Sequence, residues 1–308
     1  MVKKILLYNS GGGLGDSIQL FPLILGLQKH FSDTELYYLG AHDNHFIGRL
    51  KEYNIKLKNF DINLKYFGFR WWHFFSVRKQ LLKNKIDNFD LIIDLQSKLR
   101  NTVILKQIPH QSFYSSTLNF YFCTKKELKT FIRKELELVD YSINLINKTY
   151  FEESKKLLPE KNYIGFSITQ GNVYRQKSWP LINFIELAKK VLTSGKKIVF
   201  FVEKSNIDIV NQIKKSLPEA IFPEHESKLA CPALVTTLAS RVDKVISIDN
   251  GIMHMVGLAN IPMVVLFGPT NSKKFAPKVK NIKILDSKVL YNSKDISKIT
   301  IDDVFKFI

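Results

Sequence analysis

KILLYNSGGGLGD, residues 4–16, decides the reading of this chain. Lys4 to Asn9 is a short apolar run with the length of a buried strand. It ends in Ser10-Gly11-Gly12-Gly13, and a helical spacing of apolar residues follows from about Asp16 to His30. Glycines at such a turn let another backbone or a ligand come close. The helix amino end behind them favours negative charge. A dinucleotide fingerprint needs G-x-G-x-x-G. Gly11 and Gly13 fit it, but the third position is Asp16, an acid where a phosphate would lie. A P-loop is excluded, because no Gly-Lys-Ser/Thr follows. Asp16 reads either as a helix-capping residue or as a carboxylate directed at a ligand as a base.

The same rhythm continues outward. Glu35 to Gly40 and, more weakly, Lys56 to Phe60 are strand candidates; Leu91 to Gln96 (LIIDLQ) is a strong one, and Gln111 to Ser115 another. From about Thr130 to Leu158 the chain is charged and helical in pattern. Strand–helix units resume at Tyr163 (YIGFSI), with strands at 197–202, 244–248 and 263–267, helices after Pro180, from about Ser205 and from Gly251, and a closing helix at 301–308. Short apolar runs alternating with helical segments predict α/β architecture with parallel sheets. The expectation is two doubly wound, Rossmann-like domains, 1–155 and 156–308, with a ligand cleft between them and the last helix packing back on the first domain.

The length of 308 residues suits two domains. Hydrophobic residues at 45% and charged residues at 24% exclude a wholly disordered chain. The net charge of +18 favours acidic partners: nucleic acid, anionic headgroups or phosphorylated substrates. A Lys-rich surface of a biased genome is the other reading. Residues 51–148 hold 18 Lys and Arg against 9 Asp and Glu, so half the excess lies in a third of the chain. No helix-turn-helix, zinc or aromatic RNA-binding signature accompanies it, and no nucleic-acid partner is expected. Cys123 and Cys231 are far apart and lack metal spacing, which fits free thiols of a reducing cytosol. No stretch approaches the ~18 apolar residues of a membrane span. A cytoplasmic monomer is expected.

Four further stretches carry candidate chemistry. Asp94-Leu95-Gln96 closes a buried strand and either caps it or lines the cleft. Gln176-Lys177-Ser178-Trp179-Pro180 precedes a helix, with Pro as a start signal; Lys177 is either a solvated lysine or a phosphate ligand. In Asp249-Asn250-Gly251-Ile252-Met253-His254 a strand gives way to a helix whose first amides form a natural diphosphate seat, with His254 one turn in. Residues 65–79 (KYFGFRWWHFFSVRK) interleave aromatics with cations. They fit a core-facing helix, an acceptor site or a membrane edge, and a mixture of these is expected.

GGGLGD, IIDLQ, QKSWP, DNGIMH and LFGPT, in this order, resemble glycosyltransferase family 9, the lipopolysaccharide heptosyltransferases, over about residues 4–277. The resemblance implies a GT-B fold of two Rossmann-like domains and inverting transfer of heptose from ADP-heptose to a lipopolysaccharide-core acceptor. It implies no metal and no cofactor. It makes Asp16 the general base, Lys177 a donor-phosphate ligand, Glu203 the acid that holds the ribose, and Asp249, Asn250, Gly251 and His254 the grip on diphosphate and sugar. Acceptor contacts fall to Gly13, Gly15, Gln96 and Arg100. The partners implied are a nucleotide sugar and an anionic glycan or glycolipid, with peripheral contact at the inner face of the inner membrane. Two departures bear on nucleotide and sugar identity: Ser167 to Asn172 replaces a Pro- and small-residue-rich turn, and Phe200-Phe201-Val202 stands where many members carry glycine. A member using another nucleotide sugar, a catalytically inactive member, and an NAD(P)-dependent oxidoreductase or epimerase are the competing readings.

Overall fold

A computed structural model describes residues 2–83, 88–96, 98–137, 142–171, 174 and 176–308. The chain divides into two compact units, 1–138 and 139–308. The first contains a five-stranded parallel sheet of β1 (Lys4–Asn9), β2 (Glu35–Gly40), β3 (Lys58–Asn59), β4 (Phe89–Asp94) and β5 (His110–Ser115), in the order β3-β2-β1-β4-β5. Ile5, Leu6, Leu7 and Tyr8 of β1 are wholly buried, as a central parallel strand requires. Strand order reverses direction between β1 and β4. That reversal opens a crevice at their carboxyl ends, where such sheets take ligands.

The expected helix from Asp16 to His30 is two helices, Leu14–Ile18 and Phe21–His30. Pro22 sits in the first turn of the second; it has no N–H to give and cannot lie inside a continuous helix, so the chain restarts there. β4 runs two residues earlier than the apolar run suggests. It stops at Asp94 because the Asp94 carboxylate takes the Gln96 amide and turns the chain. The helical stretch expected from Thr130 to Leu158 is Lys126–Glu137 and Lys148–Leu157; residues 138–141 lie outside the described residues. Asn147 caps the second helix by accepting from the Thr149 amide.

The second unit holds β6 (Tyr163–Ser167), β7 (Lys197–Phe201), β8 (Lys244–Ile248), β9 (Met263–Phe267) and β10 (Ile282–Asp286), all parallel, in the order β10-β9-β8-β6-β7. Here the reversal lies between β6 and β8. Phe166, Phe200 and Phe222 stack across one face, with centroids 4.9 and 5.5 Å apart. Gly165 is required in β6: a Cβ there would lie 2.7 Å from the Phe201 ring and 2.9 Å from a Val245 methyl. Trp179 is buried, donates from Nε1 to the Ile299 carbonyl at 2.8 Å and meets Phe184 edge-on at 4.9 Å. It pins the loop before Leu181–Thr193 to the C-terminal segment. The helix Lys148–Leu157 packs on Pro232–Ala239, and the closing helix Ile301–Phe305 packs on Leu181–Thr193.

Candidate active site

The β6–β8 reversal gathers most of the donor-side candidates. β8 ends at Ile248, Asp249 follows, and Asn250 is the N-cap of the helix Gly251–Leu258. The Asn250 side chain works in both directions. Its Oδ1 accepts from the Met253 amide at 2.8 Å, and its Nδ2 donates to Ser167 Oγ and the Thr169 carbonyl, both at 2.8 Å. The helix start is thereby fixed to the end of β6. Lys177 comes from the loop before Trp179. Its backbone N–H donates to Gln170 Oε1, and its ammonium reaches Asp249 Oδ2 at 2.6 Å. Their side chains are only 13% and 7% exposed, so this is a desolvated ion pair rather than a surface one. Gln176, next to it, adopts a left-handed backbone (φ 45°) without being glycine; such strain gathers at functional loops.

A Cβ built on Gly251 would meet nothing within 4 Å. The space beside Gly251 is therefore open, whereas Ile252, Met253 and His254 behind it are buried. Gly251 and Ile252, as its first residues, have no intrahelical acceptor for their amides. His254 lies one turn in and is buried. An ammonium beside a helix start whose first amides have no intrahelical acceptor is an arrangement that favours an anion.

Glu203 is exposed and follows β7, on the other side of β6 from Asp249. It is not brought into contact with Lys177 or Asp249. Its neighbour is Glu224, which nothing in the sequence marks. Glu224 is buried and accepts from the Val202 amide, and its Oε2 has no partner among the described residues. Burial, followed by the nearby Glu203 charge, pushes its carboxyl up to about 7.

In the first unit Gly13, Gly15, Asp16 and Gln96 lie at the β1–β4 reversal, and Arg100 does not join them. Gly13 is the N-cap of Leu14–Ile18, and Asp16 Oδ2 accepts the Gly13 amide at 3.0 Å. The capping alternative is thus realised in the geometry, with the carboxylate half-buried at the turn. Gly15 lies inside the same helix. Asn9 Oδ1 accepts from the Gly11 amide and from Gln96 Nε2, each at 2.9 Å, which ties Gln96 to the glycine turn. Asp94 turns inward instead: it accepts from Thr102 Oγ1 at 2.6 Å, Ser115 Oγ at 2.8 Å and the Gln96 amide. Burial pushes its carboxyl up to about 6 despite those three donors.

Arg100 does not reach the glycine turn directly. Its Nε donates to the Gly68 carbonyl at 2.8 Å and its guanidinium lies over Phe69. Phe69 packs on His42, and His42 packs beside Gly12. His42 also lines a cavity of about 750 Å³ with Gly12, His45, Asn59, Lys65 and Tyr66. The histidines were not singled out in the sequence; His45 Nε2 lies 3.1 Å from the Gly12 carbonyl.

Residues 65–79 are divided. Phe67, His73 and Val77 are wholly buried, whereas Tyr66, Trp71, Trp72 and Phe75 are exposed. Gly68 (φ 83°) makes the turn; its amide donates to His73 Nδ1 while Tyr8 Oη donates to the Phe67 carbonyl. Among the described residues no group of three or more His, Cys, Asp or Glu side chains could hold a metal ion. No helix among them is long and apolar enough to cross a membrane.

The sequence model described as "Glycosyltransferase family 9 (heptosyltransferase)" matches residues 74–303, a span that begins after Asp16. Lipooligosaccharide heptosyltransferase 2 of Haemophilus influenzae is 27% identical over 151 residues, 46% of this chain and 42% of that protein, so the match spans under half its length. Lipopolysaccharide heptosyltransferase 1 of Campylobacter coli is 23% identical over 92% of this chain and 90% of that protein. A solved family 9 glycosyl transferase from Veillonella parvula superposes with a TM-score of 0.66 over 99% of this chain and 96% of that one, at 19% identity. The fold is GT-B, two Rossmann-like α/β domains.

Proposed function

Since the chain belongs to glycosyltransferase family 9 (heptosyltransferase), we propose that it transfers heptose from ADP-heptose to a lipopolysaccharide-core or related lipid-linked glycan, inverting the anomeric centre without a metal ion. The observation that carries the donor half is the desolvated Lys177–Asp249 pair at the start of the helix whose first residue, Gly251, borders open space. In this reading Lys177, the amides at the helix start and His254 meet the charge that develops on the departing diphosphate, the usual largest contribution to such catalysis. Asp249 holds the ammonium in place, and Asn250 fixes the helix start to β6. Glu203 takes the ribose hydroxyls.

On the acceptor side, Asp16 takes the proton of the attacking hydroxyl. That oxygen bonds to the anomeric carbon from the face opposite the diphosphate. The carbon–oxygen bond to the diphosphate breaks, and the nucleoside diphosphate leaves with the electron pair. Base assistance of this kind contributes roughly 10²–10⁴-fold. Gly13, Gly15, Gln96 and Arg100 position an anionic acceptor, which the basic excess of residues 51–148 attracts. The protein works as a monomer in the cytoplasm, with acceptors presented at the inner face of the inner membrane.

Calorimetric titration with ADP-, GDP- and UDP-sugars and with NAD(P)H tests the assignment. ADP-heptose is expected to bind most tightly, and product linkage analysis then reports the acceptor. Preference for a UDP- or GDP-sugar would move the donor, and preference for NAD(P)H would remove the transferase mechanism.

A further inference from the structure

We propose that His73 is a positioning residue for the acceptor: its neutral imidazole holds the turn that presents Arg100, and a second proton on that ring lets the turn go. The proposal rests on the acceptor role given to Arg100 above. The turn is one that needs holding. Tyr66 and Gly68 both take left-handed backbone, at φ 54° and 83°. Residues keep such a conformation only where their surroundings impose it. Three side chains do so here. Tyr8 Oη donates to the Phe67 carbonyl at 2.8 Å, itself steadied by Asn101 Nδ2 at 3.0 Å. Arg100 Nε donates to the Gly68 carbonyl at 2.8 Å. His73 Nδ1 accepts the Gly68 amide at 3.1 Å. Gly68 is thus gripped at its amide by His73 and at its carbonyl by Arg100. The same turn seats Phe69, over which lie the Arg100 guanidinium and the Lys98 ammonium.

Of these holders His73 is the one that changes charge near neutrality. Arg100 stays cationic, and burial pushes the Tyr8 phenol up, so it keeps its proton. His73 is wholly buried, stacked parallel to Phe67, with Trp72 edge-on at 4.2 Å. Because Nδ1 takes the Gly68 amide, the ring proton sits on Nε2, which has no partner among the described residues. A second proton would have to go on Nδ1, setting N–H against N–H at Gly68. The surroundings oppose it as well. Burial first, then Arg70 in the preceding turn and Arg100 on the helix Leu99–Leu105, hold the imidazole below its ordinary 6.5. Tyr8 stands across Gly68 from β1, and His42 packs on Phe69. A histidine kept neutral by folding supports the fold fully above its ordinary value and loses that support as pH falls through the lowered one. Arg100 should therefore be presented at neutral pH and released in acid.

The test reads the turn and the acceptor separately. Nitrogen-15 NMR of the full chain follows the His73 ring and the Arg100 Nε–H from about pH 8 to about pH 5, a range that spans histidine titration. Steady-state assays with ADP-heptose and a lipopolysaccharide-core acceptor give kcat and both KM values over the same range. At neutral pH His73 is expected as the Nε2–H tautomer. The Arg100 Nε–H should lose its protection from exchange as His73 takes up its second proton. Acceptor KM should rise roughly tenfold or more over that change, the lower end of what an anion's bond to a guanidinium contributes, with donor KM unchanged. His73→Asn puts an amide oxygen that does not titrate where Nδ1 lies. It should keep the wild-type acceptor KM at neutral pH and lose the acid rise, which separates His73 from His42. His73→Phe keeps a ring without an acceptor and should raise acceptor KM at every pH, with kcat and donor KM little changed. An Arg100 signal indifferent to pH in the wild-type chain would overturn the proposal, whether or not the variants fold. So would the absence of an acid rise in acceptor KM, or a rise undiminished in His73→Asn. The expected NMR change in a protein that transfers no sugar at any pH would uphold the link from His73 to Arg100 and fail the transferase reading instead.

Discussion

Replacing Lys177 by methionine keeps the stem and removes the charge, and two separate losses should follow. The first concerns stability. The Lys177 ammonium is 2.6 Å from Asp249 Oδ2, in side chains only 13% and 7% exposed. Exposed pairs contribute about 0–1 kcal/mol, but stranding one partner of a buried pair costs about 3–5 kcal/mol. This pair borders an open face at Gly251, so the cost should fall somewhat short of the fully buried case, about 2–4 kcal/mol. K177M/D249N should recover most of that loss, because no charge is left stranded. The second loss concerns the donor. A charge-assisted hydrogen bond to a diphosphate contributes about 1.5–3 kcal/mol, or roughly 10- to 150-fold in affinity. K177M/D249N should not recover this one. Urea unfolding and calorimetry on the three proteins separate the effects. If K177M unfolds within 0.5 kcal/mol of wild type, by the ~1.4 kcal/mol-per-decade scale a negligible change, the pair is not desolvated as described. If K177M binds nucleotide diphosphate like wild type, the phosphate role is wrong.

Three further outcomes follow from particular contacts. Asp16→Asn should lower turnover by roughly 10²–10⁴-fold and leave donor affinity unchanged, since an amide can still accept from Gly13 but takes no proton; wild-type turnover would remove the base role. Asp94 titrates at about 6 when folded against 3.8 as its ordinary value, so its contribution is most favourable below pH 3.8 and is lost as pH rises toward 6. Relative to Asp94→Asn, wild type should therefore lose about 3 kcal/mol in urea unfolding between pH 3 and 7, and parallel pH profiles would contradict the burial of that carboxyl. Gly68→Ala places a Cβ 2.4 Å from Tyr8 Oη at φ 83°, which should cost about 2–4 kcal/mol of stability; a loss below 0.5 kcal/mol would mean the 66–73 turn relaxes freely.

The strands that lie buried on both faces were legible because nothing but an apolar run suits them: β1, β6, β8 and β9 fall where KILLYN, YIGFS, KVISI and MVVLF stand. Elements on the rim were not. β10 (IKILD) has its middle residues exposed and alternates too briefly to be told from loop, and β3 shrinks to two exposed residues at a sheet edge. The break at Gln19–Leu20 is signalled by Pro22 but masked by apolar spacing that runs on across it. Family membership was legible from five short motifs in order, which the 74–303 match bears out. Within the site, DNGIMH could be read as a helix start, since Asn is a common N-cap. The Lys177–Asp249 pair could not: it joins residues 72 apart through the way the loop before Trp179 is pinned. Glu224 was invisible for the same reason, its burial being a property of how 222–226 folds against β7. The inward turn of Asp94 depends on Thr102 and Ser115, and neither carries a sequence signature.

The most direct measurement is mass spectrometry and anomeric NMR of a lipopolysaccharide-core acceptor incubated with the protein, ADP-heptose and excess EDTA. The account predicts an acceptor heavier by one heptosyl residue, inverted at the anomeric carbon relative to the donor, formed as fast as without chelator. Retained configuration, a reaction that stops with EDTA, or donor consumed with no sugar on the acceptor would contradict it.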